Sequence, residues 1–352
     1  MNYEIDFLPV DSGERSGDAI CIRWQEKDGS FKIMVVDGGT KESGEEIVEH
    51  IKQYYHTDTV DYVVNTHPDQ DHASGLSVVL EKLEVKELWI HRPWKHVKKI
   101  ISYFKDGRIT EDSLKRRLQN SFSYVFPLEK LAENKKITIK EPYQGSKIGI
   151  FEVLSPSEEW YLYKLIPDFN KTPEKKESIS KEGFSRSIIK EKALILFKEN
   201  FDKEMLKDNG KTSAENESSV ILYAKIDNKG ILLTGDAGIR ALNKAYEYKT
   251  DMANNLKFIQ IPHHGSRNNV NPDILDKLLG EKGQKEQNKT AFVSVSKESK
   301  THPRQSVVNA FIQRGCMVFA TKGSKICHCS GMPKRKGWIE VKPLEFKRKF
   351  KE

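Results

Sequence analysis

The chain has 352 residues, 37% hydrophobic and 31% charged, which is enough apolar material for one sizeable core and fits one decorated domain over residues 1–352. Its net charge of +8 and pI near 9.0 admit an acidic partner, but lysine-rich surfaces are also simply solvated faces. No apolar run reaches the ~18 residues of a membrane span and the first residues lack the basic and apolar regions of a signal peptide, so a cytoplasmic chain without membrane contact is expected.

In chain order, the first informative element is Val60-Asp61-Tyr62-Val63-Val64, which reads as a strand running into Thr66-His67-Pro68-Asp69-Gln70-Asp71-His72-Ala73-Ser74-Gly75. That run places four metal-ligand side chains within six residues. His67 and Asp69, two apart in extended or turning backbone, can face one point, while Asp71 and His72 in the tighter turn can address a second. The competing reading is a polar turn capping a helix that begins near Ala73. The density of ligands favours two adjacent metal sites.

Farther on, Glu87-Leu88-Trp89-Ile90-His91 reads as a strand entering a loop that also carries His96. Phe122, Tyr124 and Phe126, then Trp160, Tyr161 and Tyr163, offer aromatics for stacking bases, although buried packing is their commoner fate. Residues 155–214 carry two polar, turn-prone stretches, 168–177 and 208–211, around Ala193-Leu194-Ile195-Leu196-Phe197. They predict an insertion that forms a lid or a surface excursion. Gly230-Ile231-Leu232-Leu233-Thr234-Gly235-Asp236 reads as a buried strand whose tight turn delivers Asp236, a carboxylate able to bridge two metals. Phe258-Ile259-Gln260-Ile261 then runs into Pro262-His263-His264-Gly265-Ser266, where one of two consecutive imidazoles can complete the second metal. Cys327-His328-Cys329 lacks the spacing and partner pair of a structural zinc site, so a strand with free thiols is expected. With Cys21 and Cys316 these fit reduced cysteines.

Taken together, His67-Pro68-Asp69-Gln70-Asp71-His72, Thr234-Gly235-Asp236 and Pro262-His263-His264-Gly265-Ser266 resemble the metal-binding motifs of the metallo-β-lactamase superfamily, in the form found in the hydrolase domain of the ComEC competence protein. Ser16-Gly17-Asp18-Ala19-Ile20, Val35-Val36-Asp37-Gly38-Gly39, Glu217-Ser218-Ser219-Val220-Ile221-Leu222, Val293-Ser294-Val295 and Thr301-His302-Pro303 extend the likeness from about Phe7 to about Thr321. The resemblance implies an α/β fold, a four-layered αββα sandwich with an inserted segment between its metal motifs and the metals at one edge of the two sheets. It implies two divalent ions, zinc or manganese. His67 and Asp69 would hold the first; Asp71, His72 and one of His263 or His264, with His264 favoured, would hold the second. Asp236 would bridge them and Asp37 would orient ligands without touching metal. His263 is then a substrate or leaving-group contact, and His302 the late histidine that faces a phosphate.

Two departures from that family pattern matter. Most members have histidine where Asp69 stands, and most have another histidine before the bridging aspartate, where this chain offers only His91 and His96 out of place. The first site is therefore oxygen-rich and a ligand short, with Asn216 or Glu217 as possible helpers, although a solvated loop carboxylate is the expectation for Glu217. Such a site suits a hard ion such as manganese. Paired cations activate water and neutralise phosphoryl charge, so phosphodiester hydrolysis is expected, with DNA or RNA as substrate and Asp71, His263 and His302 at the chemistry. Basic runs at 95–99, 115–117 and 334–336 could track a phosphate backbone. The alternatives are a small-molecule hydrolase of the same fold (a phosphorylcholine esterase, cyclic-nucleotide phosphodiesterase or lactonase) and a nucleic-acid-binding effector module with a degenerate metal site.

Overall fold

The computed structural model describes residues 1–104, 108–170, 172, 196–199 and 203–352. The amino-terminal half supplies β1 (Tyr3–Phe7), β2 (Ala19–Gln25), β3 (Phe31–Gly38), β4 (Thr59–Val64), β5 (Glu84–Trp89) and β6 (Thr138–Lys140). The remainder supplies β7 (Lys147–Ile148), β8 (Phe151–Ser155), β9 (Leu196–Lys198), β10 (Ile221–Ile226), β11 (Lys229–Leu233), β12 (Leu256–Gln260), β13 (Gln284–Val293), β14 (Arg314–Ala320), β15 (Ile326–Ser330) and β16 (Lys349–Lys351). Two seven-stranded sheets result, in the orders β15-β1-β2-β3-β4-β5-β6 and β14-β13-β12-β11-β10-β8-β7.

Alternation along these strands sorts their side chains onto opposite faces. Ile5, Ile20 and Met34 from the first sheet meet Val153, Leu222 and Phe258 from the second in a core between the sheets. The opposite faces are covered by helices: Val35 and Val63 join a core with Ile47 and Val79 of helices Lys41–His50 and Leu76–Lys82, and Leu232 and Val318 join one with Leu242 and Phe311 of helices Ile239–Tyr248 and Gln305–Gln313. This is the four-layered αββα arrangement expected of the chain. Each such apolar side chain contributes about 1.5–3 kcal/mol when fully buried, so a one-residue slip of any central strand would be strongly disfavoured.

The fold brings strand ends together at one edge. In the first sheet β3, β4 and β5 run parallel, and in the second so do β11 to β14, so within each set the carboxyl ends share an edge. Open α/β sheets bind ligands outside such ends. The two edges are stitched directly: the Val220 amide donates to the Thr66 carbonyl at 3.0 Å, and Gln260 Nε2 donates to Asp18 at 2.7 Å. Gly75 lets the helix Leu76–Lys82 begin flush against the end of β3, since a Cβ there would collide with the carbonyl oxygens of Gly38 and Thr40.

The expected insertion, 155–214, lies partly outside the described residues, which leave out 171, 173–195 and 200–202. Its described start forms short helical turns through Ile166–Asp168, and β9 pairs with β16 in a small two-stranded sheet that gives the basic tail a place. Among the described residues no helix is long and apolar enough to cross a membrane.

Candidate metal centre

The centre is built outward from Asp37, which ends β3 in a left-handed backbone at φ 55°. Its carboxylate accepts from the Thr66 amide at 2.7 Å, the Thr66 hydroxyl at 2.6 Å, Asn65 Nδ2 at 3.2 Å and His72 Nδ1 at 2.8 Å. Those bonds fix two imidazoles. Because the only hydroxyl proton of Thr66 goes to Asp37, the Thr66 oxygen accepts from His67 Nδ1 at 2.9 Å, and His72 Nδ1 likewise donates to a carboxylate. His264 Nδ1 faces the Ser294 carbonyl at 3.0 Å and must also donate. All three rings therefore carry a proton on Nδ1 and turn Nε2 toward the centre, where it offers a lone pair once a cation takes the place of a second proton.

Those Nε2 atoms converge on Asp236, which follows β11 and is held through its amide by Ser219 Oγ at 3.2 Å. From Asp236 Oδ2, His72 Nε2 lies 3.5 Å, His263 Nε2 3.6 Å and His67 Nε2 3.7 Å away; His264 Nε2 is 3.9 Å from Oδ1. Asp69 Oδ2 lies 3.6 Å from His67 Nε2. The ligand atoms of Asp71, His72 and His264 lie within 4.8 Å of one another, as do those of Asp18, His72 and Asp236. Such separations are too long for hydrogen bonds. Two ligand atoms on one tetrahedral ion, each ~2.0–2.2 Å from it, stand roughly 3.3–3.6 Å apart.

The fit to a divalent cation rests on unmet bonding. His67 Nε2, His72 Nε2, His264 Nε2 and Asp236 Oδ1 are buried with no hydrogen-bond partner among the described residues. Buried polar atoms are rarely left in that state, and four around one point call for a shared partner. Charge agrees. Burial would raise the Asp236 carboxyl, but His263, His72 and His264 hold it well below its usual range. Burial would lower His72, but Asp236 and Asp37 push it well above an ordinary imidazole. Asp69 is likewise held down by His67 against the effect of its burial.

His302 is set beside this cluster on a loop whose Arg304 amide donates to the Gly265 carbonyl at 3.1 Å. Burial first, then the nearby His264 and Arg304, bring its imidazole down to about 4. Asp18 is a carboxylate that the sequence reading placed only at a strand opening. It is buried, 3.7 Å from His72 Nδ1, with Oδ1 unpartnered, and burial raises its pKa. Its one sequence signal is an acid among small residues just before a buried strand.

Other expectations sort as follows. Glu217 is not a solvated loop carboxylate: it is 3% exposed, and its oxygens accept from the Ala241 amide at 2.8 Å and Arg240 Nε at 3.4 Å, fastening the start of helix Ile239–Tyr248. Asn216 contacts the ring of His263. His91 stacks on Tyr161, and His96 bonds to Glu141, so both stay outside the candidate clusters. Phe122, Trp160 and Tyr161 are buried, while Tyr124 lines a cavity of about 170 Å³ beside Asp69 and Gln70, with Phe169 and Glu215. Cys327 and Cys329 lie on β15 as free thiols.

A model of the metallo-beta-lactamase superfamily matches residues 18–148, the span that carries Asp37 and the His67–His72 run. That span is less than half of the chain. The chain is also similar to solved structures of the fold. A diphosphatase from the PhnP family is 11% identical, with 94% of this chain and 98% of that one covered and a TM-score of 0.40. The metallo-beta-lactamase fold protein YhfI from Bacillus subtilis is 8% identical, with 93% and 99% covered and a TM-score of 0.41. A long form RNase Z from yeast is 10% identical, with 92% of this chain but 42% of that one covered and a TM-score of 0.39. No curated protein matches the chain. Likenesses of this degree leave the activity to be argued from the residues themselves.

Proposed function

We propose that the chain is a dinuclear metal-dependent hydrolase of phosphodiesters, acting on DNA or RNA. The observation that carries this reading is the convergence of the buried, unpartnered Nε2 atoms of His67, His72 and His264 on the Asp236 carboxylate. In this reading His67 and Asp69 would hold one ion and Asp71, His72 and His264 the other, with Asp236 serving both. Zinc and manganese both suit the donor set. When bound, divalent cations supply Lewis acidity toward water and a phosphoryl oxygen.

The chain's own groups do the rest. Asp37 orients the rings of His72 and, through Thr66, His67. His302, neutral near pH 7 with its imidazole brought down to about 4, could offer a ring N–H to a phosphate oxygen, and Asp71 reaches the side of the centre shared by His72 and His264. An oxygen-rich first site suits a phosphate ester over a lactam. For the polymer, Lys115, Arg116 and Arg117 are exposed, whereas Lys95, Lys99 and Arg335 are engaged by Glu129, Glu158 and Asp6. A likeness to the ComEC hydrolase domain and a cytoplasmic setting belong to the same reading.

A small-molecule hydrolase is the second reading, and the bounded cavity beside Asp69 favours it. Incubating the manganese- or zinc-loaded chain with labelled single- and double-stranded DNA and RNA, and with cyclic nucleotides, phosphorylcholine esters and lactones, separates the two. Polymer cutting that depends on metal and on Asp71 supports the nuclease. Turnover of small esters alone moves the assignment to the second reading, and nucleic-acid binding without bound metal moves it to an effector module.

A further inference from the structure

Of the two ion positions in the reading above, the first is a ligand short, holding only His67 and Asp69 beside the shared Asp236. We infer that His263 supplies the missing imidazole, so that adjacent histidines in one turn serve different ions, His263 the first and His264 the second. The inference rests on the dinuclear reading but not on which ester is cleaved.

Position is the first argument. His263 Nε2 approaches Asp236 Oδ2 to 3.6 Å, the same oxygen that His67 Nε2 approaches to 3.7 Å, whereas the nearest approach of His264 is to Oδ1 at 3.9 Å. His72 also flanks Oδ2, at 3.5 Å, and its ligand atoms are grouped with those of Asp71 and His264 as well as with those of Asp37 and His67, so His72 stands between the two positions and the split is read from His263 and His264. The turn produces the split. Both histidines adopt left-handed backbone, φ 48° and 54°, and their rings stand at 68° with centroids 5.8 Å apart, so they address different points. Side chains bearing a Cβ adopt that conformation at a cost, and two in succession are the kind of strain that clusters at ligand sites. The turn is closed by the Ser266 amide donating to the His263 carbonyl at 2.9 Å and the His263 amide donating to the Gly235 carbonyl at 3.2 Å.

Protonation is the second argument. Asn269 Nδ2 donates to the Asp236 carbonyl at 2.9 Å and to the Ala237 carbonyl at 3.3 Å, which fixes the amide and leaves its oxygen facing His263 Nδ1 at 2.9 Å. His263 Nδ1 therefore carries the proton, and Nε2, the atom aimed at Asp236, has its lone pair free. Asn216 also meets Nδ1, at 3.1 Å; its other contact is the Thr212 hydroxyl at 2.8 Å, which can donate or accept, so the Asn216 amide can turn its oxygen to His263. Asn269 is thus a positioning residue for His263, as Asp37 is for His72. His67, His72 and His264 share this arrangement of a bonded Nδ1 and an Nε2 aimed at Asp236.

The test needs no substrate. The full chain, stripped by chelator, is titrated with manganese and separately with zinc against a competing chelator, and bound ions are counted by elemental analysis, for wild type, His263→Ala and His264→Ala. The inference expects two ions in wild type, with His263→Ala losing one or binding it at least ~10-fold more weakly, the lower end of what even an outer-partner loss produces, and His264→Ala weakening the other. Selective ¹⁵N-histidine labelling of wild type covers a variant that fails to fold: His263 should show an Nδ1-protonated ring whose Nε2 resonance moves when zinc is added. Two ions at wild-type affinity in His263→Ala, or an Nε2 resonance that zinc leaves in place, overturns the inference. A wild-type chain that binds neither ion overturns it together with the dinuclear reading. Two ions with His263 among their ligands but no phosphodiester cleavage supports the inference and removes only the substrate reading.

Discussion

Asp37 accepts four hydrogen bonds without offering an atom toward Asp236, and in doing so sets the rings of His72 and His67. Asp37→Asn would present a donor where donors already point, so metal affinity should fall roughly 10- to 100-fold, measured by chelator competition on a chain whose circular dichroism is unchanged. Equal affinity would deny the orienting role. Away from the centre, burial alone would raise the Glu141 carboxyl, but His96 at 2.8 Å, the nearby His91 and the Arg92 amide bring it down to about 2 from its usual 4.5. The stability this contributes is complete above about pH 4.5 and is lost as pH falls through about 2. Urea unfolding between those limits should show a steeper loss in wild type than in Glu141→Gln. At this scale the candidate ligand run stood out because four potential donors in six residues have few other uses. Asp18, Asn269 and Ser294 were not, because each acts through a neighbour that only the fold supplies.

Strands β4, β11 and β12 could be read from apolar runs that stop at turn residues, and each delivers its ligand loop where the run ends. What an element's sequence hides is how closely it is approached. Gly75 reads as an ordinary turn glycine, yet its alpha carbon abuts the carbonyls of Gly38 and Thr40, locking the helix after the His67–His72 loop onto β3. Gly75→Ala should therefore destabilise by roughly 1–3 kcal/mol or more through forced backbone shifts, read as a lower urea midpoint, and should loosen metal binding with it. An unchanged midpoint would mean that the contact yields without cost. The charge of Glu217 suggested a solvated loop, but its carboxylate secures a helix start, a use that depends on where helix Ile239–Tyr248 lies.

Over the whole molecule, two sheets joined at their carboxyl edges bring together segments as far apart as Asp37 and His264, a placement that the family resemblance of the motifs implied. The carboxyl-terminal segment was not anticipated. Arg335, which looks like one of three basic surface residues, reaches Asp6 at 2.8 and 2.7 Å and Glu4 at 2.8 Å, and lies over the rings of Trp338 and Tyr54. Asp6 and Glu4 are buried and would keep His50, Tyr55 and Arg23 as partners, so Arg335→Ala removes one shared cation from them and should cost about 1–3 kcal/mol in denaturant unfolding. If the loss is a few tenths of that, the segment is not fastened there. The basic surface available to a polymer shrinks accordingly.

The central claim is that Asp236 organises a metal centre that hydrolyses phosphodiesters. Turnover of bis-p-nitrophenyl phosphate by the metal-loaded chain, beside Asp236→Ala of equal fold, tests it most directly. The account predicts metal-dependent turnover in wild type that chelator removes and the substitution abolishes. No turnover by wild type carrying two ions, or equal turnover by Asp236→Ala, would contradict it.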